Sequence, residues 1–111
     1  MKIRLRHMLQ AAHEAQRFII GRSREDLDED RMLVFALTEA LEIIGEAASR
    51  ISRETQLKHP ELQWADIVGM RDRLIHAYFD VNLDIVWATV TVTLPPLMDQ
   101  LSQLIPPTQD T

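Results

Sequence analysis

DRMLVFALTEALEIIGEAASRIS, residues 30–52, is the stretch that decides the fold. Leu33, Ala36, Leu37, Ala40, Leu41, Ile44, Ala47, Ala48 and Ile51 recur at three- and four-residue intervals, the spacing that gathers side chains onto one face of an α-helix. The stripe is broad, which suits a helix with neighbours on more than one side. Gly45 interrupts it at a cost of about 1 kcal/mol relative to alanine, so a close backbone approach is expected there.

Upstream, residues 2–20 place Leu5, Met8, Leu9, Ala12, Ala15, Phe18 and Ile19 near helical spacing, and Gly21 is a natural stop after them. SRED (23–26) offers Ser23 as an N-cap with an acidic residue three positions on. Downstream, HPEL (59–62) marks a loop, since Pro60 disfavours helix through its neighbours. A third helix is expected from Trp64 to Tyr78, broken by DVN (80–82), with Asn82 capping a fourth segment over 83–105. TVTVTL alternates as a strand does, but nothing else in the chain offers it a partner. The fourth segment is therefore read as a helix, kinked or restarted at Pro95-Pro96. The expected fold is all-α: an antiparallel bundle of four or five helices in a single domain over residues 1–105, with a frayed tail over 106–111.

Composition narrows the class. With 111 residues and 46% apolar content the chain holds one domain with a packed core. The absence of cysteine excludes disulfides and thiol chemistry. The basic N-terminus lacks a continuous apolar run, and no segment approaches the roughly 18 apolar residues of a membrane span. A soluble cytoplasmic protein is expected. The net charge of −5 argues against nucleic-acid binding through a broad basic surface, while leaving room for a local basic cleft. The acidic surplus is concentrated in REDLDED, residues 24–30.

The chemistry is concentrated in GMRDRLIHAYFDVN, residues 69–82. On a helix Asp72 and His76, four apart, share a face, so the carboxylate could fix the imidazole tautomer. Arg71 and His76, five apart, diverge by about 140°. A site using both would lie at a helix edge or be completed by a second copy, which hints at a dimer. The plainer readings are a structural histidine and solvated arginine–aspartate pairs worth under about 1 kcal/mol. Asp72, His76 and Asp80 could be drawn as metal ligands, but Asp80 falls beyond the expected helix end. Gly21, Gly45 and Gly69 are too dispersed for a phosphate-cradling loop. Trp64 and Trp87 read as packing residues.

RDRLIHAY (71–78) fits an R-x-x-x-x-H-x-Y pattern and resembles the HepT-like branch of the HEPN superfamily, small helical ribonuclease toxins. ALTEALEIIGEAASRIS (36–52), WADIVGMRDRLIHAYFDVNLDIVW (64–87) and LPPL (94–97) extend the resemblance over most of the chain. The resemblance implies an HEPN-like homodimer with its cleft between the motif helices. It also implies a metal-independent, cofactor-free endoribonuclease in which the ribose 2′-hydroxyl attacks the adjacent phosphate. His76 would be the general acid/base and Arg71 would hold the scissile phosphate, with Asp72 orienting the imidazole and Arg73 adding positive charge. Tyr78 would accept AMP from an MntA-like nucleotidyltransferase antitoxin, placing the protein in a type VII toxin–antitoxin pair. RNA, whether transfer or messenger RNA, is the expected substrate class, and no DNA target is expected. Two other readings compete: a non-catalytic helical dimer that binds the nucleotidyltransferase, and a purely structural polar network.

Overall fold

A left-handed turn at Gly21 (φ 72°) ends the first helix, a conformation that costs glycine nothing and other residues about a kilocalorie or more. The computed structural model describes residues 2–70, 72, 75–77 and 80–105. Helix α1 spans Lys2–Phe18. A short α2, Asp26–Glu29, follows in the acidic loop. The long α3, Arg31–Ser49, then runs back along α1. Two brief helices come next, α4 (Arg53–Lys58) and α5 (Trp64–Val68). Strands β1 (Ile75–Ala77) and β2 (Asp80–Val81) form an antiparallel pair. The chain closes with α6 (Leu83–Ala88), a π-helical segment (Thr89–Thr93) and α7 (Leu94–Leu104).

The fold is all-α, as the apolar periodicity implies, and that five-residue strand pair is the only sheet among the described residues. The expected stripes form the core. Met8, Ala12 and Ala15 of α1 meet Leu37, Leu41, Ile44 and Ala48 of α3, and Val86, Val90, Leu94 and Leu101 close the other side. Phe18 departs from its expected place and is 39% exposed, because α1 ends with it and the chain turns away. No described helix is long and apolar enough to cross a membrane. The tail from residue 106 onward lies outside the described residues.

Acidic residues open or stabilise several turns. The Asp30 carboxylate caps α3 by accepting from the Leu33 N–H at 3.1 Å. Asp26 reaches back to the Ser23 N–H at 2.7 Å, so half of the capping box forms, but α2 begins only at Asp26 with Glu25 as its N-cap. Arg22 binds both Asp26 and Asp30, and Arg24 binds Asp28 and, 60 residues away, Asp84 at 2.7 Å. The Arg22 hydrogen bond is the largest cause holding the Asp30 carboxyl below its usual range; for Asp26 the Ser23 N–H leads and Arg22 adds to it. Much of the acidic run is thus neutralised within the loop itself.

The TVTVT alternation is neither strand nor ordinary α-helix. Pro95 and Pro96 occupy the first turn of α7, where a missing N–H is tolerated, while upstream the ladder widens to the π pattern and the Leu94 N–H reaches the Thr89 carbonyl. In that pattern the Val90 carbonyl should be met by the N–H of Pro95, which has none. The Gln16 amide of α1 supplies the missing donor. Thr89 and Thr91 hydroxyls donate to the Ile85 and Trp87 carbonyls one turn back. The π segment is therefore a tertiary feature, completed by another helix.

Replacing Gln16 by leucine leaves the buried Val90 carbonyl unpaired, at a cost of about 1–3 kcal/mol. Thermal unfolding should show a lowered midpoint, by several degrees for a domain of this size. An unchanged midpoint would show that the bond contributes nothing.

Candidate active site around the motif segment

The motif segment is held at both of its ends. At its entrance α5 lies directly against α3 at Gly45. A Cβ at that position would stand 3.3 Å from both the Ile67 and Val68 carbonyl oxygens. Glycine there allows the two backbones to meet, as the sequence leads one to expect. Trp64 anchors α5 from below: it is buried, and its indole N–H donates to the His59 carbonyl at 2.9 Å. Ile67 and Met70 enter the core at 5% and 1% exposure. Gly69 ends the helix with its N–H on the Ala65 carbonyl at 3.0 Å.

At the exit, the Asn82 side chain accepts from the Ile85 N–H at 3.1 Å and caps α6. Arg24 grips Asp84 in the same turn. Val86, one turn further, is fully buried.

Between these anchors the continuous helix expected from Trp64 to Tyr78 is not found. The α-helix α5 stops at Val68, Met70 and Asp72 are helical, and residues 75–77 are extended and pair with 80–81, Ile75 opposite Val81 and Ala77 opposite Asp80. Gly69 supplies the stop, and the apolar, β-branched Ile75 and Val81 suit a pleated pair. The helical face expected to be shared by Asp72 and His76 therefore does not describe this segment, while the separation expected between Arg71 and His76 lies outside the described residues.

Asp72 is exposed, and the His76 backbone belongs to β1. Arg71, Arg73 and Tyr78 lie outside the described residues. No three His, Asp or Glu side chains among the described residues converge on a metal position. Glu46, next to Gly45, pairs with Arg50 at 2.9 Å and lines a separate cleft between α1 and α3 with Arg4, His7, Glu39, Glu42 and Ile43.

A second cleft of about 360 Å³ adjoins the motif itself, between the α5 turn and α7. Ile67, Met70 and Leu97 give it apolar walls, and Gln63, Asp66 and Gln100 polar ones. Gln100 also donates to the Glu61 carbonyl at 3.3 Å, tying α7 to the loop before α5. This cleft has no signature in the sequence, because its two walls are about 30 residues apart and carry no shared motif.

A helical domain whose α3 and α5 present a polar motif segment defines a class, and comparison with known proteins identifies it. A family model described as Ribonuclease HepT-like matches residues 8–104. A protein provisionally named an RNase in Caldanaerobacter subterraneus is 40% identical over 91% of this chain and 90% of its own length. One provisionally named ribonuclease HepT in Thermococcus cleftensis is 42% identical over 72% of this chain and 73% of its own. A third, provisionally named an RNase in Methanocaldococcus jannaschii, is 32% identical over 73% of this chain and 67% of its own. No solved structure matches the chain. The protein belongs to the HepT-like ribonuclease family, and its R-x-x-x-x-H-x-Y octet falls inside the matched region.

Helix propensity alone would make Gly45→Ala stabilising by about 1 kcal/mol. Against two backbone oxygens at 3.3 Å the added methyl forces α5 outward, so the melting midpoint should fall, and fall further for Gly45→Val. A midpoint raised by the full propensity gain would mean that the α3–α5 contact yields freely.

Proposed function

We propose that the protein is a metal-independent endoribonuclease, the toxin of a type VII toxin–antitoxin pair in the cytoplasm. The observation that carries this reading is membership in the HepT-like ribonuclease family together with the intact octet RDRLIHAY at residues 71–78.

In the proposed reaction a ribose 2′-oxygen attacks the adjacent phosphorus and the 5′-oxygen leaves, giving a 2′,3′-cyclic phosphate and a 5′-hydroxyl. An imidazole suits both proton transfers, because it titrates near neutrality and serves as base in one form and acid in the other. His76 takes that role. Arg71 presents a planar fork of donors to the scissile phosphate, stabilising charge as it builds. Asp72 orients the imidazole, and Arg73 adds local positive charge. The active species is a homodimer with the cleft between the two motif segments, which doubles the arginines facing RNA in an otherwise acidic protein.

Tyr78 is the control point. Its phenolic oxygen attacks the α-phosphorus of ATP on an MntA-like nucleotidyltransferase, releasing pyrophosphate and leaving an AMP phosphodiester. That group adds bulk and negative charge two residues from His76, where it competes with RNA phosphate.

Purified protein lacking AMP on Tyr78 should cleave a mixed transfer-RNA pool in excess EDTA, and His76→Ala should lose at least a hundredfold in rate while keeping its melting midpoint. Cleavage by neither, with folded protein confirmed, would favour a non-catalytic dimer that binds the nucleotidyltransferase. A lowered midpoint with unchanged cleavage would make His76 structural.

A further inference from the structure

The cleft between the α5 turn and α7 has a composition that selects its occupant. Ile67, Met70 and Leu97 line it with apolar surface, and Ile67 and Met70 are fixed in the core at 5% and 1% exposure. Its polar lining holds two carboxylates, Glu61 and Asp66, with the amides of Gln63 and Gln100. None of the described lining residues is basic. Such a pocket repels phosphate and receives a flat, apolar-faced group that carries N–H donors. Its volume of about 360 Å³ falls within the range of small-molecule pockets.

Its position supplies the second argument. Met70, which lines the pocket, directly precedes Arg71 in the chain, so the pocket adjoins the start of the motif segment. Single-stranded RNA is read by splaying a base from the strand, packing its faces on protein and bonding its Watson–Crick edge. Among the four bases guanine alone presents two neighbouring donors on that edge, N1–H and the N2 amine, which match the two oxygens of a carboxylate. Adenine and cytosine set a ring acceptor beside their amine, and uracil flanks its one N–H with carbonyls. Both arrangements turn lone pairs toward the carboxylate.

We infer that the cleft lined by Gln63, Asp66, Met70 and Gln100 is a guanine-binding subsite that selects the nucleotide flanking the cut. The inference rests on the ribonuclease reading above and adds a specificity to it. Asp66 accepts the guanine edge together with Glu61, whose carboxylate also lies 3.6 Å from His59 Nδ1. Gln63 and Gln100 bond its remaining polar atoms, and Ile67, Met70 and Leu97 form the apolar floor against which it rests.

Two independent readouts test it. In the first, short RNAs that differ only by guanosine or inosine beside the cut are compared; inosine lacks the N2 amine alone. The wild type should prefer guanosine by about tenfold, the discrimination of one good base contact, and the double variant Asp66→Asn/Glu61→Gln should lose the preference. In the second, the nucleosides guanosine and adenosine are titrated into isotope-labelled wild-type protein. Guanosine alone should shift the Gln63 and Gln100 side-chain amides and the Met70 methyl, and the double variant should show no shift. Guanosine shifts without any RNA cleavage would sink the ribonuclease reading and leave a guanine site. Cleavage without guanosine preference would overturn the subsite and leave the ribonuclease reading intact, whether or not guanosine shifts those groups. Shifts produced by a lysine- or arginine-rich peptide and not by guanosine would make the cleft a protein-docking site and overturn the inference.

Discussion

The contact on which the rest of the molecule depends is the approach of two backbones at Gly45. Helix α3 contributes the largest share of the core, and at the one position where it lacks a side chain it meets the carbonyl groups of α5. Van der Waals contact with a rigid backbone is unforgiving, because there is no rotamer into which the neighbour can retreat. That contact fixes where α5 lies against α3, and Gly69 fixes where α5 stops and hence where the motif segment begins. Asn82 and the Arg24–Asp84 pair fix where it ends. The motif segment thus begins and ends at well-packed supports, the arrangement expected where functional groups are held by a rigid scaffold.

Electrostatics fit the same division. The chain is acidic overall, yet its densest acidic run is occupied by Arg22 and Arg24, whose guanidinium groups each serve two carboxylates. These pairs are exposed and weak individually, but they organise the loop between α1 and α3 and reach across to α6. Arg71 and Arg73, by contrast, stand in the motif segment, and a pair of such segments in a dimer would gather the positive charge that RNA requires.

Much of this was legible in the sequence, for identifiable reasons. The α3 stripe, the Gly21 stop and the Asn82 cap depend on local periodicity and local hydrogen bonds, which sequence encodes directly. Gly45 was legible as an anomaly, a costly residue in a strong helix. The motif octet was legible by resemblance. The single helix expected from Trp64 to Tyr78 does not continue past Gly69, because the stop at Gly69 and the pairing of Ile75 with Val81 are matters of turn geometry and tertiary contact. The π segment was also hidden. Its alternation imitates a strand, and its open carbonyl is met by Gln16, 74 residues away. The cleft beside α5 was invisible for the same reason, since only the fold brings Asp66 and Gln100 together.

The most direct test of the account is the chemistry of the cut ends. RNA cleaved by the protein in EDTA should carry a 2′,3′-cyclic phosphate on one fragment and a 5′-hydroxyl on the other, and a single 2′-deoxy substitution at the cut should block cleavage. Fragments ending in a 3′-hydroxyl and a 5′-phosphate, or undiminished cleavage of the 2′-deoxy substrate, would contradict attack by the 2′-oxygen and with it the roles assigned to His76 and Arg71.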